Sequence, residues 1–292
     1  MKKLLVTGIS GFLGWHVAGY RQRDWKIIGL YNRKAFSSGR LTAYSIDFLQ
    51  TDRLWQAIQD IEPDAILHLA AISSPAVCEK QVDQSYRINV VVPTLLAEYC
   101  HTQRIPFVFT SSDMVFDGQH APYSPYDYTR PISIYGKEKA EAEDRVLTVY
   151  REATIARLPL LYGLTPGGTN FMQQWLRNWS KGQTVQAFTD EIRSAVSATD
   201  AVRGLFILLN KRLAHIWHLG GLQAVSRFTF AQALAQSFSF SSELITPLTL
   251  AEAGQSGKRP PDLSLNSQLT YDHGYYPAPL HQALREWQKV IY

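Results

Sequence analysis

Cysteine is scarce in this chain, with two, Cys78 and Cys100, in 292 residues. Neither sits in a CxxC or metal-ligand spacing, so a disulfide framework and a zinc site are not expected. Two reduced thiols packed as small apolar side chains fit the count, and reduced thiols fit a cytoplasmic setting. The eight histidines show no metal-ligand spacing either, so no metal is expected. An excess of one charge is also lacking. The formal net charge is +4, from 29 basic and 25 acidic residues. The basic residues are spread along the chain, which leaves no nucleic-acid footprint. A mildly basic protein does suit a small anionic ligand such as a nucleotide. No apolar run approaches the ~20 residues of a membrane helix. Lys2-Lys3 precedes an apolar stretch as in a signal peptide. Yet Gly8, Gly11 and Gly14 interrupt it and no A-x-A-like site follows. Asn178-Trp179-Ser180 matches a glycosylation sequon, by chance in a cytoplasmic protein. Internal repeats and low-complexity tracts are absent.

What is present is an alternation of short apolar runs with helix-length amphipathic segments. Strands are predicted at 4–7, 26–31, 41–46, 65–69, 107–110 and 153–157. Helices are predicted at 11–20, 51–61, 84–103 and 134–148. Strands separated by helices pair in parallel through right-handed crossovers. Nearly continuous apolar strands are expected when both sheet faces are covered. The pattern predicts an α/β, Rossmann-type doubly wound sheet over residues 1–165. After Gly163 the character changes. Thr165-Pro166-Gly167-Gly168-Thr169 reads as a loop, followed by a Trp-rich helix at 171–181 and shorter elements. A smaller mixed α/β substrate domain is expected over 166–292, with segments that interleave with the first.

Two motifs carry chemistry. Gly8, Gly11 and Gly14, with Phe12 and Leu13 between them, stand where the first strand turns into the first helix. Gly8 permits a tight turn, Gly11 lets backbone approach a pyrophosphate, and Gly14 lets the helix pack on the sheet. Tyr135 and Lys139, four residues apart, stack on one helix face. An ammonium beside a phenol favours phenolate and brings a proton donor toward neutral pH. Ser111-Ser112-Asp113 closes the fifth strand, at the end where open parallel sheets bind ligands. A hydroxyl there can hydrogen-bond a substrate carbonyl. Together these features suggest hydride transfer.

Other readings are less specific. Strand two ends in Tyr31-Asn32-Arg33-Lys34, with no acid to hold a ribose 2′-hydroxyl. Arg33 and Lys34 suit a 2′-phosphate, so NADP(H) is preferred over NAD(H), against the alternative of a solvated basic loop. Asp47 and Phe48 follow strand three and could contact an adenine amine and ring face, or simply enter a helix. Glu138, Glu141, Glu143 and Asp144 read as a solvated acidic helix face, and His68 as structural.

With these residues in view, the chain resembles the extended short-chain dehydrogenase/reductases. Within them it resembles the dTDP-4-dehydrorhamnose reductase and sugar-nucleotide-binding family. The likeness runs through the glycine motif, His68-Leu69-Ala70-Ala71, Glu79 and Arg87-Ile88-Asn89-Val90. It continues through Ser111 to Gly118, Pro131 to Lys139, Arg157 to Gly163, Gly168 to Phe171, and Arg259-Pro260-Pro261. The resemblance implies a catalytic triad of Ser112, Tyr135 and Lys139, with Asn89 supporting the network around Lys139. It implies that Asn32, Leu69, Ala70, Ala71 and Leu158 help to hold the cofactor. It also implies that Ser111, Asp113, Met114, Asn170, Arg193 and Arg259 contact a nucleotide sugar. The implied activity is NADPH-dependent reduction of a 4-keto nucleotide sugar. Two alternatives stay open. One is a nucleotide-sugar epimerase or dehydratase. The other is a non-catalytic NADP-binding regulatory subunit resembling the β subunit of methionine adenosyltransferase. Such proteins are often dimers, so a homodimer is a possible assembly. The chain departs from the reductase pattern at Met114, where Tyr is usual, and at Leu160-Leu161, where the segment lacks its usual Trp. It departs again at Phe12, where Gln is common.

Overall fold

The computed structural model describes residues 1–32, 36, 41–168 and 170–291. Arg33 and Lys34, on which the NADP(H) preference rests, lie outside the described residues. The described chain forms two compact units. The first comprises Met1–Ser112, Ser133–Arg157 and Leu205–Trp217, and the second Asp113–Ile132, Leu158–Gly204 and His218–Tyr292.

The first unit is built on a seven-stranded sheet. In chain order come β1 (Lys2–Thr7), α1 (Phe12–Gly19), β2 (Trp25–Tyr31), β3 (Thr42–Ser45), α2 (Thr51–Ile61) and β4 (Ala65–His68). Then follow α3 (Pro75–Lys80), α4 (Val82–Tyr86), a π-helical turn (Arg87–Val91), α5 (Val92–Gln103), β5 (Phe107–Ser112), α6 (Ile134–Val149) and β6 (Thr154–Leu158). The sheet order is β11-β6-β5-β4-β1-β2-β3, with β11 at His215–His218. Pairing is parallel from β3 through β5, with Leu4 opposite both Ile27 and Ala65, and His68 opposite Phe109. The chain leaves β1 toward β2 and β3, then crosses back to β4 and beyond. The direction therefore reverses between β1 and β4, and the carboxyl ends of these two strands form the crevice where such sheets take ligands.

The strands are apolar because helices cover the sheet. Leu5, Ile28, Leu30, Ile66, Phe107, Phe109 and Ile155 pack with Leu54 and Ile58 of α2, Leu96 of α5 and Val146 of α6 in one core. The helix expected at 84–103 exists as α4, the π-helical turn and α5 in succession.

The second unit contains β7 (Leu161–Tyr162), α7 (Phe171–Trp179), β8 (Val185–Phe188), β9 (Ile192–Arg193), β10 (Val196–Ser197) and the start of α8 (Ala198–Lys211). It continues with β12 (Val225–Ser226), α9 (Arg227–Ser237), β13 (Ile245–Leu248), α10 (Gln268–Asp272) and α11 (Leu280–Ile291). Its strands make three two-stranded pairs. Its core collects Tyr162, Met172, Trp179, Phe230, Leu234, Phe238 and Leu284. No described helix is long and apolar enough to cross a membrane.

Candidate active site

The glycine turn has the form its sequence predicts. Gly8 takes a left-handed φ of +70°, and a Cβ there would stand 2.8 Å from the Ala70 nitrogen. A Cβ on Gly14 would lie 2.3 Å from the Gly8 oxygen. Both glycines are therefore demanded by close backbone packing. Gly11 is the N-cap of α1 in extended conformation, and no side chain caps the helix there. The first-turn amides, including those of Phe12 and Leu13, start without intrahelical partners and carry the positive end of the helix dipole. That is a seat for a phosphate. The donor set and the absence of a Cβ at Gly11 fit a dinucleotide diphosphate.

Thr7 links this turn to β4. Its Oγ1 accepts from the amides of Leu69 and Ala70 at 3.2 and 3.3 Å and lies 2.7 Å from Nδ1 of His68. With both lone pairs taken, the hydroxyl proton goes to Nδ1, which leaves the His68 proton on Nε2. Burial lowers the His68 pKa to about 3, and Lys139 adds to the effect. His68 is thus a neutral side chain that fixes the Leu69-Ala70-Ala71 loop. Asp47 accepts from the Leu49 amide and from Asn32 at the other end of the crevice. Phe48 is 4% exposed and belongs to the core around Ile28 and Ile58, so its ring face is taken by protein. Leu158 ends β6 and is buried.

Ser111 and Ser112 close β5 and are buried. Ser111 Oγ has no hydrogen-bond partner among the described residues. Helix α6 starts where Ser133 Oγ accepts from the Gly136 amide at 3.1 Å. This cap fixes the helical phase, so Tyr135 and Lys139 both face inward, 8% and 1% exposed. Lys139 rests its Nζ 3.9 Å from the centre of the Phe109 ring. Burial pulls its pKa down from 10.5 to about 7, while Glu143 and Glu138 raise it.

The acidic residues of α6 correct the sequence expectation in part. Glu141 pairs with Arg145 at the surface and Asp144 is exposed, as a solvated face would have it. Glu138 and Glu143 are instead buried. Glu143 receives a forked ion pair from Arg157, with Nη2 at 2.6 Å from Oε2 and Nε at 3.0 Å from Oε1. Glu138 accepts from Ser85 Oγ and, at 2.7 Å, from Asn89 Nδ2. The remaining Asn89 donor reaches the Ile72 carbonyl at 3.0 Å, and Oδ1 accepts the Ile72 amide at 2.9 Å. Asn89 lies in the π-helical turn, a local widening that often marks functional sites. It ties the loop after β4 to α6.

Apart from Ser111, the residues expected to meet a sugar nucleotide lie in the second unit. Asn170 caps α7 through the Gln173 amide and also binds the Gly163 carbonyl, at 3.0 Å each. Asp113, in a short 3₁₀ turn with Met114 and Val115, stands 3.8 Å from Nε of Arg193. Arg193 is buried and gives its other donors to Glu191 and to the carbonyls of Ile192, Pro260 and Pro261. Its guanidinium is thus occupied by protein. Arg259 is half-exposed and grips Glu191 at 2.8 and 3.1 Å.

A third guanidinium was not singled out from the sequence. Arg227 opens α9 with its guanidinium 3.8 Å from the Phe171 ring centre and 4.9 Å from that of Trp175. Its Nη1 is sealed from solvent and has no hydrogen-bond partner among the described residues. Burial pushes its pKa down to about 10, with Arg193 and Arg259 adding to that and Glu191 opposing it. Three guanidinium groups thus stand with two carboxylates, Glu191 and Asp113, which leaves positive charge for an anionic ligand. The sequence did carry a signal. A cation in the first helical turn opposes the helix dipole, and such a local mismatch marks functional positions.

The sheet order, the glycine turn at its reversal point and the inward Tyr135-Lys139 pair define a Rossmann-type doubly wound α/β protein. The chain belongs to the RmlD substrate binding domain family, whose model matches residues 1–291, within the extended short-chain dehydrogenase/reductase type. It is similar to methionine adenosyltransferase 2 subunit beta of Rattus norvegicus, 27% identical over 257 residues that cover 85% of this chain and 75% of that protein. It is also similar to the spore coat polysaccharide biosynthesis protein SpsK of Bacillus subtilis, 27% identical over 289 residues, covering 98% and 97%. Among solved structures it matches dTDP-4-dehydrorhamnose reductase from Bacillus anthracis in complex with NADP. There the TM-score is 0.87 at 21% identity, covering all of both chains.

Proposed function

We propose that the protein reduces a 4-keto nucleotide sugar with NADPH, as a dTDP-4-dehydrorhamnose reductase-like enzyme. The observation that carries this reading is the buried Tyr135-Lys139 face of α6, with an ammonium desolvated to a pKa of about 7. The family supports a sugar-nucleotide ligand, and the solved relative holds NADP. NADPH, when bound, supplies a hydride to the carbonyl carbon. The amides opening α1 after Gly11 hold its diphosphate, and Asn32 and Asp47 stand toward its adenosine end. Ser112 Oγ donates a hydrogen bond to the carbonyl oxygen and stabilises the charge that develops there. Tyr135 gives its proton to that oxygen as general acid. Lys139 stabilises the negative charge left on the phenol oxygen. In the second unit, Arg227 and Arg259 take the anionic part of the substrate, while Arg193 and Glu191 hold Arg259 and the Pro260-Pro261 segment.

The test is loss of NADPH absorbance against a panel of 4-keto nucleotide sugars, with NADH in parallel. Turnover of one member supports the reading, and faster turnover with NADPH supports the preference drawn from Arg33 and Lys34. A second reading, a non-catalytic NADP-binding regulatory subunit, is favoured by the similarity to methionine adenosyltransferase 2 subunit beta. NADPH binding without turnover of any sugar, together with a stoichiometric enzyme partner in a pulldown, would replace the first reading with this one.

A further inference from the structure

In the second unit one residue, Glu191, touches all three arginines described above. Its Oε1 accepts from Nη2 of Arg193 at 3.1 Å and from Nη2 of Arg259 at 2.8 Å. Its backbone carbonyl accepts the Arg227 amide at 3.0 Å. The antiparallel pair of β9 and β12, with Ile192 opposite Ser226 and Arg193 opposite Val225, brings the start of α9 to this carbonyl.

The three arginines are held differently. Arg193 is buried and occupied by Glu191 and by the carbonyls of Ile192, Pro260 and Pro261. Arg227 is partly buried and lies on Phe171 and Trp175. Arg259 is the most exposed, with its side chain 45% accessible. It ends a run of turns over 250–258, in which Gly254 and Gly257 take left-handed φ values. Its guanidinium stands 5.3 Å from the centre of the Phe188 ring. Only Nη2 is given to protein, and it reaches both oxygens of the Glu191 carboxylate, at 2.8 and 3.1 Å. Nε and Nη1 stay open to a ligand. Glu191 is 4% exposed, so salt screens its charge little.

We infer that Glu191 is a positioning residue and built-in counter-anion for Arg259: it fixes the pose of that guanidinium, offsets its charge, and so limits how tightly the second unit holds a nucleoside diphosphate group. The inference rests on the proposed reading that Arg227 and Arg259 take the anionic part of a nucleotide sugar. It has a use in that reaction. The anionic part is the same before and after a carbonyl is reduced. Gripping it harder therefore strengthens substrate and product alike and does not speed the chemical step. A carboxylate that moderates the grip lets product leave. The neighbouring acids do not replace Glu191. Asp190 accepts the Leu250 amide at 2.9 and 3.1 Å, and Asp113 stands beside Arg193.

The test is calorimetric titration of the full chain, saturated with NADP, with dTDP and with UDP, and with thymidine and uridine as uncharged controls. Glu191→Gln keeps an oxygen at the Oε1 position for both Nη2 groups and removes the charge. It should bind the diphosphate about tenfold more tightly than the native protein, the scale of one hydrogen bond to a charged group. Binding of the uncharged nucleosides should not change. If the Gln variant does not fold, Glu191→Met is the second neutral variant and should also bind the diphosphate more tightly, since Arg193 Nη2 retains the Pro260 carbonyl. Arg259→Met should bind it more weakly than native, and adding Glu191→Gln to Arg259→Met should recover much less than tenfold, because the two residues are coupled. With a turned-over sugar, Glu191→Gln should lower KM without raising kcat, whereas a merely structural role would raise KM. Native-like or weaker diphosphate binding in the folded neutral variant overturns the inference. So does an equal gain in the Arg259→Met background, which would mean a general charge effect. In either case native binding that depends on Arg259 leaves the anion-site reading standing. Absence of diphosphate binding in every protein, native included, overturns that reading and the inference with it.

Discussion

The ammonium of Lys139 stands over the ring of Phe109, with the neutral imidazole of His68 stacked on the same ring at 5.8 Å between centres. The ring gives the cation a favourable partner where water cannot reach it. It does not offset the full cost of burial, since the Lys139 pKa falls to about 7. The unfolded chain therefore binds more protons than the folded one between about pH 7 and the ordinary lysine value of about 10.4. Stability rises with pH wherever the unfolded state binds more protons. Urea midpoints of the native protein should rise across that window relative to those of Lys139→Met. Parallel curves for the two proteins would contradict the buried ammonium.

Tyr135→Phe removes only the phenol oxygen from a side chain that is already buried. The fold and NADPH binding, followed by fluorescence, should be kept. Turnover of the sugar identified in the panel should fall on the order of 10²-fold or more, the usual contribution of a positioned general acid. A native rate in this variant would remove Tyr135 from the mechanism.

The Arg157-Glu143 fork is fully buried, 2% exposed on each side. Glu143→Ala leaves a guanidinium in the core without its partner and should cost about 3–5 kcal/mol. Removing both charges, as Glu143→Leu with Arg157→Met, should restore most of that loss, because desolvation of the pair offsets its attraction. Urea denaturation of the three proteins reads the difference. A double variant no more stable than Glu143→Ala would contradict this account.

Acid should unfold the protein partly through histidine. His68 has a folded pKa of about 3 and His16 about 4, both lowered by burial from 6.5. Below the ordinary value the unfolded chain takes up protons that the folded one refuses, so stability falls as pH drops from 6.5 toward those values. A His68→Asn variant should be less stable than the native protein at neutral pH, having lost the Thr7 geometry. It should also show a flatter decline below pH 6.5, with the remaining slope owed in part to His16. A decline as steep as the native one would mean that His68 does not carry the effect.

Arg227→Met should raise the KM for the sugar nucleotide by about one to two orders of magnitude, the range of one hydrogen bond to a charged group. The turnover number and NADPH affinity should stay near native, because the residue lies outside the cofactor and proton-transfer groups. A native KM would return Arg227 to a packing role against Phe171 and Trp175.

Several elements were legible because local chemistry decides them. The GxxGxxG turn reads directly, since Gly8 and Gly14 are imposed by distances too short for any Cβ. The inward face of α6 follows from helical spacing once Ser133 sets the start. Strand β11 was not legible as an edge of the main sheet, because its partner β6 lies about sixty residues earlier in the chain. The π-helical turn at Arg87–Val91 looks like ordinary helix in its residues, and only the bonds around Asn89 distinguish it.

The sequence by itself determined the doubly wound sheet, the glycine turn and the Tyr135-Lys139 face, because each depends on residues that are neighbours in strand, turn or helix. The tertiary structure alone decided that Glu138 and Glu143 are buried while Glu141 and Asp144 are not. It also decided that Arg193 is occupied by carbonyls, and that Arg227 lies on two aromatic rings with Nη1 unpaired among the described residues. Charge state and burial are set by what distant segments bring against a side chain, and helical spacing carries no record of it.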